Sequence, residues 1–228
     1  MFTILGKKLA DIGFYINLDK STDRKANVEN QIKKYEINGL ERFSALTDEM
    51  IQYSCTKSHL SVLNKSLKEG YETVFIAEDD FQIYDECYYN VDDIKNINFE
   101  QVLNSVYEDL KNIEWDVVLL GCNPKSYIIK ETDNLGVINK STGAWAYLIK
   151  NTTFQFIIDN LNYKKDYLAI DDFLPKLNEK GFKVLTTIPM MVGHAVGFVS
   201  TLQPRGEVNY TNWINGNYNK FLYDIFKK

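Results

Sequence analysis

The sequence is poor in cysteine and histidine. Its 228 residues include three Cys and two His, and Cys55, Cys87 and Cys122 are far apart, with no C-x-x-C pair among them. This spacing excludes a cysteine-based zinc or dithiol redox motif. We therefore expect free thiols and a reducing compartment.

Long apolar runs are also missing. Nowhere do eighteen apolar residues follow one another, and the N-terminus has no charged segment ahead of an apolar stretch. We expect neither a signal peptide nor a membrane span, and hence a cytoplasmic protein. The chain also lacks repeats and any linker rich in Pro, Gly or Ser. A single domain over residues 1–228 is therefore expected, with two small domains as the alternative.

The chain has no excess of positive charge. Its net charge is −5, its pI is near 5.2, and 45% of its residues are hydrophobic. Such a balance is typical of a folded globular protein. A general basic field for contact with phosphate backbones is absent, so we expect no nucleic-acid partner.

Strand-like and helix-like segments alternate along the first half. "GFYINL" (13–18), "ERFSAL" (41–46), "ETVFIAEDD" (72–80) and "DVVLLGC" (116–122) are apolar runs rich in strand formers. Helical patterns lie between them, and this alternation predicts an α/β fold with parallel strands joined by crossover helices. Further strands are expected within 126–149 and a last one at "FKVLTTIP", with helices at 151–161 and around "AIDDFLPKLNEKG". The segment from 191 to 217 has few periodic features, which is typical of a lid or binding loop.

Helix ends are marked by capping residues. Ser21, Thr22 or Asp23 is expected to cap a helix that ends near Gly39, and Thr56 to cap one that ends at Gly70. Donors at the start of the second helix, on Lys57 and Ser58, would then face a phosphate. The C-terminal "NYNKFLYDIFKK" has an amphipathic helical pattern. It is expected to dock on its own domain, or more rarely to bind weakly to a membrane surface.

Three carboxylates, Glu78, Asp79 and Asp80, directly follow a buried strand. Ligands of open α/β sheets bind beyond the carboxyl ends of the strands. Adjacent acids repel one another unless a cation neutralises them or water solvates them. A solvated loop is one interpretation. The other is a Mg²⁺ or Mn²⁺ site whose ion binds the phosphates of a nucleotide diphosphate.

The order of several motifs resembles glycosyltransferase family 25, which includes bacterial lipooligosaccharide galactosyltransferases and collagen hydroxylysine glycosyltransferases. The matching stretches are "FYINLDKSTDRKANVENQIKK", "ERFSAL", "CTKSHLSVLNKSLKEGYETVFIAEDD", "WDVVLLG", "STGAWAYLIKN" and "IDDFLP". They cover most of residues 13–180. The segment 81–98 has no counterpart in that pattern, and "MMVGHAVGFVSTLQPRG" matches it loosely.

The resemblance implies a GT-A-type fold, that is, a Rossmann-like mixed sheet flanked by helices. It divides the domain into a nucleotide-sugar-binding part at about 13–122 and an acceptor-side part at about 123–228. It further implies a UDP-sugar donor, Mn²⁺ or Mg²⁺, inversion at the anomeric carbon, and a hydroxyl of a glycan or of hydroxylysine as acceptor. The sequence leaves the oligomeric state open.

The same resemblance assigns the metal ligands. Asp80 is the first candidate and Glu78 the second, while Asp79 is a ribose or outer-sphere partner or is simply exposed. His194, next to Gly193 where a backbone can approach a ligand closely, is a metal ligand from late in the chain. A structural histidine is the alternative at this position.

Further residues are implied to bind the donor. Those near the base and diphosphate are Asn17, Leu18, Arg24, Ser58 and His59, and those near the donor sugar are Gly143 and Ala144, with Trp145 as either a stacking surface or core. Arg24 presents a planar fork suited to phosphate or to a carboxylate such as Asp23 or a nearby Glu. His59 is equally consistent with a hydrogen-bonded histidine in the core.

Asp171 and Asp172 are the candidates for the general base. An attacking hydroxyl must lose a proton, and an ionised Asp can accept it. Adjacent positions on a helix point about 100° apart, so one carboxylate faces a given site. Asp172 is preferred, and the other acid would stabilise the helix dipole.

Two other functions remain open. A nucleotidyltransferase also carries acids at a strand end, but a glycine-rich phosphate loop is expected near its first strand, and "INLDKSTDRK" lacks one. A catalytically silent glycan-binding or assembly module is the second alternative.

Overall fold

The computed structural model describes residues 1–87, 97–195 and 197–198. The strands in chain order are β1 (Phe2–Ile4), β2 (Lys7–Ala10), β3 (Ile12–Asn17), β4 (Leu40–Ser44), β5 (Thr73–Glu78), β6 (Phe81–Ile83), β7 (Glu86–Cys87), β8 (Ile97–Asn98), β9 (Val117–Pro124), β10 (Ile128–Lys130), β11 (Leu135–Ile138), β12 (Ser141–Lys150), β13 (Val184–Thr187) and β14 (Val192–His194). The helices are α1 (Thr22–Lys34), α2 (Ile51–Glu69), α3 (Phe99–Asn112), α4 (Asn151–Asn160), α5 (Tyr163–Asp166), α6 (Ile170–Phe173) and a 3₁₀ helix (Leu174–Lys180).

Eight strands form one mixed sheet in the order β10-β11-β13-β9-β12-β5-β3-β4. The predicted α/β fold, a Rossmann-like mixed sheet flanked by helices, is confirmed. β3 pairs in parallel with β4 and β5, as expected. The expectation of parallel neighbours fails at β9, because the antiparallel strand β12 lies between β9 and β5. β12 comes from the predicted acceptor-side part, so strands of both parts share this sheet.

The central strands are buried along their whole length. All six residues of β3 and all eight of β9 are buried, as expected for strands covered on both faces. The hairpin β1–β2, which was not predicted, adds the ring of Phe2, stacked on Phe75 at 4.3 Å between centroids. Burying each such side chain contributes about 1.5–3 kcal/mol. Gly13 permits this contact, since a Cβ there would lie 2.5 Å from the Phe2 ring.

Two helix boundaries differ from the predictions. α2 begins at Ile51, one turn before Thr56, so Thr56 is an interior residue and not a cap. α1 ends at Lys34 and not near Gly39, whose φ of +69° serves the turn into β4. The predicted end of α2 at Gly70 is confirmed, with φ +73°. The helix predicted around "AIDDFLPKLNEKG" is split at Pro175, which has no N–H to continue α6.

β13 is not the last strand, contrary to the prediction. β14 follows it and pairs antiparallel with β6, with His194 opposite Phe81. This pairing gives regular structure to the first part of the segment predicted to be an irregular loop. Residues 199–217 of that segment and the amphipathic "NYNKFLYDIFKK" lie outside the described residues. None of the helices in the described part of the chain is long and apolar enough to cross a membrane.

Candidate active site

A cavity of about 740 Å³ lies at the carboxyl ends of β3 and β5. Because β12 is antiparallel to β5 and β9, its first residues reach the same edge of the sheet. The predicted site residues that line the cavity are Leu18, Arg24, Ser58, His59, Glu78, Asp79, Asp80, Gly143, Asp171, Asp172 and His194. Asn17 and Ala144 do not line it. Residues from six separate stretches of sequence therefore converge on one site.

Glu78 turns away from the other two of the three adjacent acids. Glu78 faces α2, with its Oε1 atom 3.6 Å from His59 Nε2 and 3.7 Å from Cys55 Sγ. Asp79 and Asp80 are each 7% exposed. The alternative of a solvated loop is therefore wrong for these two aspartates, and so is simple exposure of Asp79.

Arg24 neutralises part of this charge. Its Nη1 atom lies 2.8 Å from Asp79 Oδ1 and 2.9 Å from Asp80 Oδ2. Burial raises the pKa of Asp79 in spite of the hydrogen bonds from Arg24 and Asn17. The salt bridge foreseen for Arg24 is thus formed, but with Asp79 and Asp80 in place of Asp23 or a Glu. Arg24 thus pairs with two carboxylates through one guanidinium nitrogen, and its side chain also lines the cavity.

Asn17 acts inside the fold. Its amide nitrogen donates to Asp79 Oδ2 at 2.8 Å and to the Ser21 carbonyl at 3.0 Å, and its oxygen accepts from Arg42 Nε at 2.8 Å. The side chain is buried and does not line the cavity. The predicted contact of Asn17 with the nucleotide is therefore corrected to a role in holding Asp79.

His194 and Asp80 meet across the site. Nε2 of His194 lies 3.3 Å from Oδ2 of Asp80, while Nδ1 lies 2.7 Å from the Ala195 carbonyl. The Ala195 N–H donates to the Asp80 carbonyl at 2.7 Å, which fixes β14 beside the end of β5. Burial favours the neutral form of Asp80, yet His194 and Arg24 outweigh burial and lower its pKa. Burial likewise opposes the charge of His194, but Asp80 outweighs it and raises the pKa of His194.

These residues fit a hard divalent cation. Oδ1 of Asp80 is buried and has no hydrogen-bond partner among the described residues. A carboxylate oxygen and an imidazole nitrogen are suitable ligands for Mn²⁺. The cavity is lined by six carboxylates, Asp48, Glu78, Asp79, Asp80, Asp171 and Asp172, against the cations Lys20 and Arg24. Glu78, the second predicted ligand, turns instead toward His59 and Cys55.

The glycine beside His194 has a different role from the one predicted. A Cβ on Gly193 would lie 1.7 Å from the hydroxyl of Tyr84. The missing side chain at Gly193 therefore makes room for a tyrosine of the protein itself and not for a ligand.

Ser58 and His59 lie in the interior of α2. The Ser58 hydroxyl donates to the Ser54 carbonyl at 2.8 Å and accepts from the Leu46 N–H at 2.9 Å. The prediction that Lys57 and Ser58 present donors at a helix N-terminus is thus wrong, because α2 begins at Ile51. His59 is fully buried, with Nδ1 2.8 Å from the hydroxyl of Tyr147, as in the core alternative.

A tight turn in β12 positions the other carboxylates. Gly143 has φ +82°, and its N–H donates to Asp171 Oδ2 at 2.9 Å. A Cβ there would lie 2.6 Å from the ring of Trp145, so the glycine is required by the turn. Ala144 is buried, which excludes it from direct donor contact in this structure. Trp145 is 7% exposed and lines the cavity.

Asp171 and Asp172 have different environments. Asp171 accepts from Gly143 N–H and, through Oδ1, from the Asp172 N–H at 3.0 Å. The Asp172 carboxylate accepts no hydrogen bond from the described part of the chain. Burial, and next the neighbouring Asp171, raise the pKa of Asp172. Asp171 is therefore held by the backbone, whereas Asp172 retains its acceptor oxygens.

Sequence reasoning missed Cys55, Tyr147 and the cavity aromatics Tyr163 and Tyr167. Cys55 had a detectable signal, since it precedes His59 by four residues and so shares its helix face. Tyr147 had none, because its partner His59 is far away in sequence.

Comparison with known proteins assigns no family. No family model matches the chain, and no curated protein sequence matches it. A protein described as a glucose-1-phosphate thymidylyltransferase from Bacillus anthracis has a TM-score of 0.43 at 9% identity, covering 76% of this chain and 65% of its own. An apo UDP-glucose pyrophosphorylase has a TM-score of 0.40 at 8% identity, covering 75% and 66%. A nucleoside-diphosphate-sugar pyrophosphorylase from Vibrio cholerae has a TM-score of 0.37 at 11% identity, covering 77% and 72%.

The chain thus spans about two thirds of the length of the first two of these structures. Similarities of this size assign no activity to the chain.

Proposed function

We propose that this protein is a metal-dependent, inverting glycosyltransferase that moves a hexose, galactose or glucose, from a UDP-sugar to a hydroxyl of a glycan or of hydroxylysine in a collagen-like protein. The observation that carries the proposal is the convergence of Asp80, His194 and Asp172 on one acidic cavity at the carboxyl edge of the sheet. The motifs whose order resembles glycosyltransferase family 25 support the same proposal.

The charge of the cavity supports the requirement for a metal. Six carboxylates against Lys20 and Arg24 repel an anionic diphosphate, and Arg24 is already shared between Asp79 and Asp80. Asp80 and His194 would hold Mn²⁺ or Mg²⁺. When bound, the ion would supply charge stabilisation to the departing diphosphate.

Asp172 is the general base in this proposal. Its carboxylate has free acceptor capacity within the described structure, and it would take the proton of the acceptor hydroxyl as that oxygen attacks the anomeric carbon. Asp171 positions it, because its two oxygens bind the N–H groups of Gly143 and Asp172. The bond to the diphosphate breaks on the opposite face, so a single displacement inverts the anomeric carbon.

The test is a screen of UDP-sugars with Mn²⁺, in which released UDP is measured with and without a mixed pool of glycans and hydroxylysine peptides. We expect UDP release from UDP-galactose or UDP-glucose, dependent on the metal. Formation of pyrophosphate from a sugar phosphate and UTP would instead identify a nucleotidyltransferase. Glycan binding without any UDP release would identify a silent binding module.

A further inference from the structure

A second group of metal-binding atoms lies beside the cavity. Sγ of Cys55, Nε2 of His59 and a carboxylate oxygen of Glu78 all lie within 4.8 Å of one another. We propose that Cys55, His59 and Glu78 form a site for a thiophilic divalent cation of the Zn²⁺ class, distinct from the Asp80–His194 pair. The resemblance to glycosyltransferases gives Glu78 and His59 other roles, and the proposed reaction does not use the three residues as a group.

The spacing of the ligand atoms suits a tetrahedral ion. An ion about 2.3 Å from sulfur and about 2.0–2.1 Å from nitrogen and oxygen separates these atoms by roughly 3.3–3.6 Å. Oε1 of Glu78 lies 3.7 Å from Cys55 Sγ and 3.6 Å from His59 Nε2. The third pair, Cys55 Sγ and His59 Nε2, lies within 4.8 Å, and movement of these two side chains toward one another would complete the site.

The fold also places the ligands. Cys55 and His59 are four residues apart on α2, which puts both on one face of the helix, as in helical zinc motifs with two ligands at this spacing. Glu78 is the last residue of β5. All three residues line the cavity, so an ion that they held would be accessible to a fourth ligand from that side.

His59 provides the independent observation. It is 0% exposed, yet its Nε2 atom has no hydrogen-bond partner among the described residues. A buried, unpaired ring nitrogen is costly unless a ligand satisfies it. Its other nitrogen, Nδ1, lies 2.8 Å from the Tyr147 hydroxyl. If Nδ1 carries the hydrogen, Nε2 presents a lone pair toward Glu78 and Cys55, the arrangement that commonly orients a ligating histidine.

The chemistry of the ligand atoms distinguishes the Cys55–His59–Glu78 site from the Asp80–His194 pair. Sulfur and nitrogen ligands favour Zn²⁺, and Co²⁺ reports on such sites, whereas carboxylate oxygens favour Mn²⁺ and Mg²⁺. Binding must release the thiol proton of Cys55 to solvent, and the resulting thiolate forms the bond to the ion.

The test uses untagged, metal-free protein titrated with Co²⁺, followed by displacement with Zn²⁺. We expect a sulfur-to-cobalt charge-transfer band that Zn²⁺ removes. Cys55→Ser should abolish the band, while the matched control Cys122→Ser and the variant Asp80→Asn should retain it. Tyr147→Phe should keep the band and weaken Zn²⁺ binding about tenfold, as for loss of an orienting hydrogen bond.

A measurement on the unaltered protein tests the site even if the variants do not fold. Zn²⁺ should slow alkylation of Cys55 by iodoacetamide, followed by mass spectrometry, and leave the buried Cys87 and Cys122 unaffected. The proposal is overturned if the unaltered protein shows no charge-transfer band, if Cys55→Ser retains it, or if Zn²⁺ does not protect Cys55. Because these readouts do not involve turnover, they stand apart from the outcome for glycosyl transfer.

Discussion

The imidazole of His194 lies 3.3 Å from the carboxylate of Asp80, although the two residues come from distant parts of the chain. The contact depends on β14, which pairs with β6 directly after the three acids. The strand pairing therefore carries a late histidine to the end of β5, where a ligand of an α/β sheet is expected.

Replacing Asp80 by Asn should abolish metal-dependent turnover. The substitution keeps the shape of the side chain and removes its charge, so we expect a fall of roughly 100-fold or more, equivalent to several kcal/mol of lost transition-state stabilisation. UDP release under Mn²⁺ measures this effect. Asp133→Asn, at a carboxylate whose side chain is 86% exposed, is the control and should keep full activity. Unchanged turnover in Asp80→Asn would contradict the assignment.

Activity should fall on the acid side with the ionisation of Asp172. Burial and Asp171 raise the pKa of Asp172, and the base works when ionised, so turnover is lost as the pH falls through this raised pKa. Asp171→Asn removes the neighbouring charge, lowers the pKa of Asp172 and should move the acid limb to lower pH. Rate profiles of the two proteins measure the shift. An acid limb that stays in place would argue against Asp172 as the base.

Removing Arg24 should destabilise the fold. Arg24→Met leaves Asp79 and Asp80 buried without their shared cation, and breaking a buried ion pair in this way costs about 3–5 kcal/mol. Denaturant unfolding followed by circular dichroism measures the cost. Lys25→Met, at the exposed neighbour on α1, is the matched control and should change stability by less than about 0.5 kcal/mol. Equal stability of the two variants would show that Arg24 does not balance the acids.

Gln31 should help to hold β14 in position, although it does not line the cavity. Its amide nitrogen donates to the Phe81 carbonyl at 2.6 Å, and its oxygen accepts from the Ile83 N–H at 2.7 Å. Gln31→Leu leaves the Ile83 N–H buried and unpaired, at a cost of about 1–3 kcal/mol, while the Phe81 carbonyl keeps a hydrogen bond from the Asn27 amide at 3.3 Å. We expect lower thermal stability and weaker Mn²⁺ binding, the latter because β6 holds the strand that carries His194. Normal thermal stability and normal Mn²⁺ affinity in Gln31→Leu would contradict this role of Gln31.

Apolar runs and strand ends were sufficient to predict the α/β class, the buried strands and the acids at the end of β5. The antiparallel insertion of β12 between β9 and β5 was not predictable, because β5 is remote from β12 in sequence. Asn17 illustrates the same limit. Its position after an apolar run is compatible with ligand contact, whereas its hydrogen bond to Asp79 can be recognised only from the three-dimensional structure. The start of α2 was misplaced because Met50 precedes it without a side-chain cap.

The most direct test is calorimetric titration of UDP into the protein with and without Mn²⁺, repeated with Asp80→Asn. The account predicts that UDP binds in the presence of Mn²⁺, that binding is lost when the metal is removed, and that Asp80→Asn binds no UDP under either condition. UDP binding of equal strength without metal, or unchanged binding by Asp80→Asn, would contradict it.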